Sequence, residues 1–319
     1  MYTIRMAMDD ADIDAIAALI SAVEPERTTS DMLRERAGRT AGQRRWHVAV
    51  DEAARILGVV EVAREPWMPA TEAWLWVAIA PGAQRRGIGT ALLRDAFART
   101  RSQGPALRRS QVRDDRPDDL AFAQRRGFHI NRHIVDATLD LAALDERPFA
   151  GAIAGAQAAG IRFVSMAEAG NGAELQRHVY DLNRRVSGDI PGTEATFAPF
   201  EDFKGYVFGA QWYRPEGQIL AFHGDRLVGF TDVGYVAPAN SAYNMMTGVD
   251  AAYRGRGIAL ALKLLAIRYA RTTGSASIRT NNDADNTPVL ALNRKLGYLP
   301  EPGHYQLVHT DEWRDPDGD

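Results

Sequence analysis

Two short stretches of this chain have the residue types and spacing to hold a phosphorylated ligand. Gln84-Arg85-Arg86-Gly87-Ile88-Gly89 follows the apolar run Val77-Ala78-Ile79, and Ile88, Leu92, Leu93 and Phe97 then recur at helical spacing. Arg254-Gly255-Arg256-Gly257-Ile258-Ala259 follows Thr247-Gly248-Val249 in the same way. In each case a strand feeds a helix start whose first turn carries almost no side-chain bulk. Backbone N–H groups there have no helical partner and lie at the positive end of the helix dipole, which suits a phosphate. Gly87 and Gly257 let it approach the main chain, while Arg85, Arg86, Arg254 and Arg256 add positive charge. Neither stretch has the Lys-Ser/Thr of a P-loop, and Leu92 and Leu262 stand where a dinucleotide fingerprint needs its third glycine.

The two stretches belong to a longer repeat. Aligned without gaps, Gly87 falls on Gly257, an offset of 170 (257 − 87), and Ile88/Ile258, Leu92/Leu262, Ala96/Ala266 and Arg101/Arg271 are identical. Arg125-Arg126-Gly127-Phe128 meets Lys295-Leu296-Gly297-Tyr298 at the same offset, and Ile56-Leu57-Gly58-Val59 resembles Leu227-Val228-Gly229-Phe230 at 171. One unit is written twice. At 319 residues the chain has room for two domains, expected at 1–140 and 161–319 with a helix-bearing linker at 141–160.

Hydrophobic residues at 45% and charged residues at 25% are ordinary for a globular protein, and a net charge of −3 gives no reason to expect nucleic acid or an anionic membrane as partner. No apolar run is long enough to span a bilayer, and the N-terminus has no signal-peptide core. Without cysteine there is no disulfide, thiolate nucleophile or cysteine-bound metal. His129 and His133 fall in a strand with no further ligands, so no metal site is expected. A cytoplasmic protein follows.

In each half the patterning predicts a strand, two helices and a meander; the helices are one carrying Ile13 to Val23 after the N-cap candidates Asp9 and Asp10 and one at about 29–38, and in the second half about 172–186 and about 200–208. The meander strands fall at 46–50, 56–63 and 73–79, and at 218–223, 226–236 and 241–249. The glycine-entered helix, a strand, a short helix and a last strand complete the plan. The fold class is α/β (α+β), each half a mixed, mostly antiparallel sheet flanked by helices, with one site-bearing helix. Trp74 and Trp76 read as core, Glu61 and Glu72 as solvated, and the tail 311–319 as frayed.

What remains at the loops is Gln/Arg-x-x-Gly-x-Gly/Ala after a strand, present as Gln84 to Gly89 and as Arg254 to Ala259, each followed by a basic-x-Gly-aromatic turn. In these motifs, and in Thr280-Asn281 through Asn286 to Tyr298, the chain resembles the GNAT superfamily of CoA-dependent N-acetyltransferases in its tandem form. The resemblance covers nearly the whole chain, and the arrangement is similar to that of the mycothiol synthases. It implies two tandem acyl-CoA N-acyltransferase domains and acetyl-CoA as co-substrate. The pyrophosphate would lie on the backbone of 84–89 or 254–259, and the pantetheine would run like an added strand along Val77, Ala78 and Ile79 or Thr247, Gly248 and Val249. Backbone N–H groups there would polarise the thioester for direct attack by an amine of a small molecule, with no covalent enzyme intermediate. The protein would act as a monomer or homodimer.

The resemblance departs at the acid and base. Where many members place a Tyr in the last helix to protonate the thiolate, this chain has Ala123 and Asn293; where some carry a Glu base it has Ala73 and Tyr243. Tyr243 and Tyr235 stand as the catalytic candidates. Asn281 and Asn286 are candidates for cofactor contact, or caps of the last helix. Asp232, Tyr235, Tyr243, Asn244 and Thr247 make the second copy the more polar and favour it for catalysis, and the loop 187–200, with Asp189, Glu194 and Phe197, is a candidate acceptor-binding segment. A CoA-binding protein without transferase activity is the alternative, favoured by the missing Tyr in both copies.

Overall fold

The computed structural model describes residues 1–25, 27–39, 44–64, 68–101, 107–190, 197–236 and 240–310. The loop at Pro66 and Trp67, Glu194 of the 187–200 connection and the tail 311–319 lie outside the described residues. The chain forms two compact units, Met1–Asn131 with Tyr305–Asp319, and Arg132–His304.

The first half of the chain supplies β1 (Tyr2–Met6), α1 (Asp10–Val23), α2 (Ser30–Arg39), β2 (Arg44–Asp51), β3 (Ile56–Ala63), β4 (Glu72–Ile79), α3 (Ile88–Arg101), β5 (Leu107–Arg113), α4 (Pro117–Gln124) and β6 (His129–Asp140). The second supplies α5 (Ala152–Ala158), β7 (Ile161–Ser165), α6 (Ala173–Ser187), α7 (Phe200–Tyr206), β8 (Gln218–His223), β9 (Arg226–Val236) and β10 (Ser241–Val249). It ends with α8 (Ile258–Thr272), β11 (Ser277–Asp283), α9 (Thr287–Lys295) and β12 (Leu299–His309).

In unit 1 the strands run β1-β2-β3-β4-β5, antiparallel except for the parallel pair β4·β5, with β12 beside β5. In unit 2 the order is β6-β11-β10-β9-β8-β7, antiparallel except for the parallel pair β10·β11. Each sheet is covered on both faces, as strands with apolar residues on both sides demand. In unit 1, Leu75 packs with Ile88, Leu92 and Phe97 of α3, while Val48 and Val59 pack with Ile16 and Ile20 of α1 on the other face. In unit 2, Ala221 and Val228 meet Ala261 and Leu262 of α8, while Leu220 and Phe230 meet Val179 and Leu182 of α6.

The compact units divide the chain at other places than the sequence repeat. Residues 134–140 of β6 pair with 283–277 of β11 inside unit 2, and Leu307 of β12 is fully buried in the α3 cluster of unit 1. Each half thus gives its last strand to the other unit's sheet. Strand periodicity reports which face is buried, not which neighbour the edge pairs with.

Glu61 and Glu72, expected to be solvated, are buried. Glu61 accepts from Trp46 Nε1 (3.0 Å) and pairs with Arg44, and Glu72 binds Arg109 through both oxygens. A carboxylate can be buried where guanidinium and indole donors satisfy it, and those donors are distant in sequence. Trp76 packs against the α1 cluster, and Trp74 is half-buried.

β12 runs beside β6, and at Gly303 the two backbones meet closely: a Cβ added there would run into the Ile134 carbonyl oxygen. Gly303→Ala is therefore expected to lower stability by about 1–3 kcal/mol in urea denaturation. An unchanged midpoint would show that the strands are not this close.

Candidate functional site

The two glycine loops share one backbone conformation. Each strand leads into a single 3₁₀ turn, Pro81–Ala83 or Ala251–Tyr253, and then into Gln84 or Arg254 at φ −65°, ψ 160°. Position 85 or 255 is left-handed, as is position 87 or 257, and the helix starts at Ile88 or Ile258. Gly255 takes the left-handed conformation freely at φ 75°; Arg85 takes it at φ 61°, where an L side chain is crowded. Around Gly87 and Gly257 an added Cβ would meet nothing within 4 Å, so the space over both helix starts is open. Ile88 and Ile258 are buried in the core, and only their backbones can serve a ligand.

Side chains tie each loop to the strand before it. Gln84 Nε2 donates to the Ile79 carbonyl (3.4 Å), and Arg254 Nε donates to the Val249 carbonyl (3.2 Å). Arg85 pairs with Asp118, Arg254 with Asp189, and Arg256 lies over the Tyr253 ring. Arg185, Val186, Asp189, Asp250 and Ala251 line a cavity of about 210 Å³ beside the second loop.

Both parallel strand pairs come apart after three rungs. β4 pairs with β5 at 72–74 only, and β10 with β11 at 241–243 only. Beyond them, one edge of each strand faces an opening. Ala80 N–H donates to the Leu57 carbonyl and Asp250 N–H to the Val228 carbonyl, toward the sheet interior. Strand alternation then turns the N–H groups of Val77 and Ile79, and of Thr247 and Val249, into the openings, while those of Ala78 and Gly248 face the neighbouring strand.

The copies differ in how they reach this geometry. The β3·β4 register runs unbroken from Gly58/Ile79 to Ala63/Trp74, whereas β10 has a bulge: Asn244 opposes Val233 and Met246 opposes Asp232, leaving Met245 over. The extra residue brings Asn244 and Thr247 to the same α8-facing side. Asn244 Nδ2 donates to Thr231 Oγ1 (2.9 Å) and to the carbonyls of Asp232 (3.0 Å) and Met246 (3.1 Å). Its Oδ1 accepts from Thr247 Oγ1 (3.1 Å) and Lys263 Nζ (2.9 Å). Lys263 is 2% exposed, lies 5.3 Å from the Tyr298 ring centre, and burial lowers its pKa to about 7.

On the opposite, α6-facing side lie Tyr243 and Asp232. Tyr243 opposes Gly234, over which Trp212 and Met245 pack, and Asp232 is two rungs further along. Asp232 Oδ1 accepts from Gln218 Nε2, and Gln218 Oε1 accepts from Tyr213 OH (3.0 Å). Oδ2 has no hydrogen-bond partner among the described residues, and burial raises the carboxyl to about 7. The ladder position of Asp232, offset by 171 from Glu61, is thus a carboxylate in both units. Glu61 has the Arg44 guanidinium against it, while Asp232 has no cation within ion-pair distance among the described residues.

Tyr235, between Val233 on the α8 side and the strand end, lies on the face opposite Tyr243, so the two are not brought together. Asn281 is an exposed residue of β11 opposite Asp136; Asn286 precedes α9, with no side-chain cap bond. The expected capping role of both is thus not seen. Asn293 donates to Asn282 (2.7 Å), and Ala123 is buried in unit 1. Lys263 was legible only as a cation on an apolar helix face, at the place where the first copy has Leu93.

No helix among the described residues is long and apolar enough to cross a membrane. The family model described as Acetyltransferase (GNAT) family matches residues 13–128 and 189–298. A mycothiol acetyltransferase of Mycolicibacterium vanbaalenii is 31% identical over 244 residues, 72% of this chain and 70% of that protein. One from a Parafrankia species is 26% identical over 92% of this chain and 93% of its own. A solved tandem GNAT protein from the clavulanic acid biosynthesis pathway superposes with a TM-score of 0.76 at 20% identity, over 99% of this chain and 100% of the other. The chain belongs to the acetyltransferase (GNAT) family, as a tandem N-acetyltransferase that takes its acyl group from acetyl-CoA.

Proposed function

We propose that unit 2 transfers the acetyl group to an amine of a small molecule, with Asp232 as the base. The observation that carries this reading is the contrast at one ladder position: Glu61 is locked by Arg44, whereas Asp232 has a free oxygen and a pKa of about 7. A base poised near the working pH is partly ionised yet basic enough to take a proton in the transition state. The names of the relatives, mycothiol acetyltransferases, support a small-molecule acceptor.

In this reading the CoA pyrophosphate rests on the backbone of 254–259, and the pantetheine runs along the open edge of β10. Thr247 and Val249 N–H groups polarise the thioester carbonyl. The acceptor nitrogen attacks from the α6 side, forming the C–N bond while the C–S bond breaks, and its proton passes to Asp232. The sulfur leaves as thiolate and takes its proton from the protonated Asp232 or from solvent, which is compatible with Asn293 standing where a tyrosine acid could be. Tyr243 shares the face and is a candidate for holding the acceptor; Tyr235 does not share it.

Acetyl-CoA calorimetry tests the donor sites. Gly257→Glu is expected to remove one binding site by placing bulk and negative charge on the phosphate position, and Gly87→Glu to remove a second if unit 1 also binds. Binding unaffected by either change would sink this placement of the pyrophosphate. A panel of small amines tests the transfer: acetyl-CoA binding with no turnover on any of them would favour the non-catalytic reading.

Asp232→Asn is expected to lower kcat about 10²–10⁴-fold and to remove the rise in rate through pH about 7. A retained pH limb would exclude Asp232 as the base. The same group sets a stability trend. Its folded pKa lies above the ordinary 3.8, so the folded state holds the proton more tightly, and stability is lost as pH rises from about 4 to about 7. Thermal melts of Asp232→Asn should therefore show a smaller decline across that interval.

A further inference from the structure

We propose that Lys263 is a positioning residue for acyl transfer: by fixing the amide of Asn244 it holds the β10 bulge, and so aims the Thr247 N–H into the opening between β10 and β11. The inference rests on the reading of unit 2 as the transferase.

Parity makes the bulge consequential. The Asn244 carbonyl turns toward β11, where it accepts from Thr280 Oγ1 (3.1 Å). In an unbroken strand the residues sharing that direction would be 246 and 248, and the N–H of 247 would point back to β9. With Met245 as the extra residue, the Met246 carbonyl faces β9, accepting from Thr231 Oγ1 (3.1 Å), and Thr247 turns outward. The bulge thus decides which N–H groups line the opening.

One side chain spans the bulge. Asn244 Nδ2 reaches the carbonyls of Asp232 and Met246 and the hydroxyl of Thr231, from the residue just before the insertion. An amide has a donor end and an acceptor end, and reversing it would set Oδ1 against carbonyl oxygens. Lys263 Nζ carries N–H groups to donate whether charged or neutral, and fixes the choice by taking Oδ1. No carboxylate lies within ion-pair distance of this buried amine among the described residues, so no buried ion pair accounts for it. Unit 1 supplies the contrast: Leu93 replaces the lysine, Leu75 (opposite Val62 as Asn244 is opposite Val233) the asparagine and Val77 the threonine, and its register has no bulge.

The test reads the thioester carbonyl directly and needs no acceptor. On a Gly87→Glu background, which confines binding to unit 2, isotope-edited infrared spectra are taken of bound [1-¹³C]acetyl-CoA. The parent is expected to show the carbonyl stretch below that of free acetyl-CoA. Lys263→Met, similar in length and without a donor, should bind acetyl-CoA within about threefold of the parent yet lose the shift, whereas Lys263→Gln, which can still donate to Asn244 Oδ1, should keep it. A residue that only fills space would not separate Met from Gln. Asn244→Ala should also lose the shift, and it decides the matter if Lys263→Met does not fold. Folded, binding-competent Lys263→Met or Asn244→Ala with the shift intact would overturn the proposal. A parent that binds acetyl-CoA with an unshifted carbonyl would instead remove the polarising role given to β10, and this inference with it; that failure is visible before residue 263 is touched.

Discussion

The structure depends on two parallel strand pairs that share three rungs and then separate. A strand edge without a neighbour exposes backbone donors and acceptors that must find other partners. Here the remaining edges of β4 and β10 are left open just before a helix N-terminus, at 77–79 and 247–249. An extended ligand with a phosphate at one end matches both features at once: amide groups to complete the edge, and charge for the helix start. The glycines at 87 and 257 and the side-chain ties from 84 and 254 keep that approach open.

The two copies use this frame differently, and the difference is electrostatic. In unit 1 the carboxylate of β3 is buried against a guanidinium and an indole, and Leu75, Val77 and Ile79 of β4 are absorbed into an apolar cluster. In unit 2 the equivalent surfaces carry, among the described residues, a carboxyl without a cation on one face and an amine without an anion on the other. Each is strongly desolvated, and each shifts toward its neutral form as burial requires. Such groups lower stability, and their presence in one copy alone is the main physical asymmetry between the units.

The loops were legible in the sequence because their chemistry is local: a strand, two glycine-bearing positions and a helix start within some fifteen residues. The mixed sheet and its flanking helices were legible from periodicity. What sequence could not give was partnership. Glu61 and Glu72 looked solvated because Arg44, Trp46 and Arg109, which satisfy them, come from other strands. The exchange of last strands was invisible because β6 and β12 have the same alternation whichever sheet they join. Tyr235 and Tyr243 looked alike as polar residues near a cleft, yet the faces they occupy are set by strand register, and the bulge at Met245 has no signature in the residue types alone.

The bulge also explains why gapless alignment of the copies misleads at the site while succeeding at the loops. From Thr247 through the helix the offset of 170 holds, and equivalent residues occupy equivalent places. Upstream of Met245 the same offset pairs Asn244 with Trp74, but Asn244 faces α8, whereas Trp74, an even-numbered residue like Trp76 and Ala78 of the α1-side cluster, faces the other way. One inserted residue reverses the faces of everything before it. A polar side chain can then reach across the insertion beneath the strand while Tyr243 and Asp232 keep the opposite face. The separation of the buried Asn244–Lys263 network from the face that carries Asp232 follows from that single extra residue.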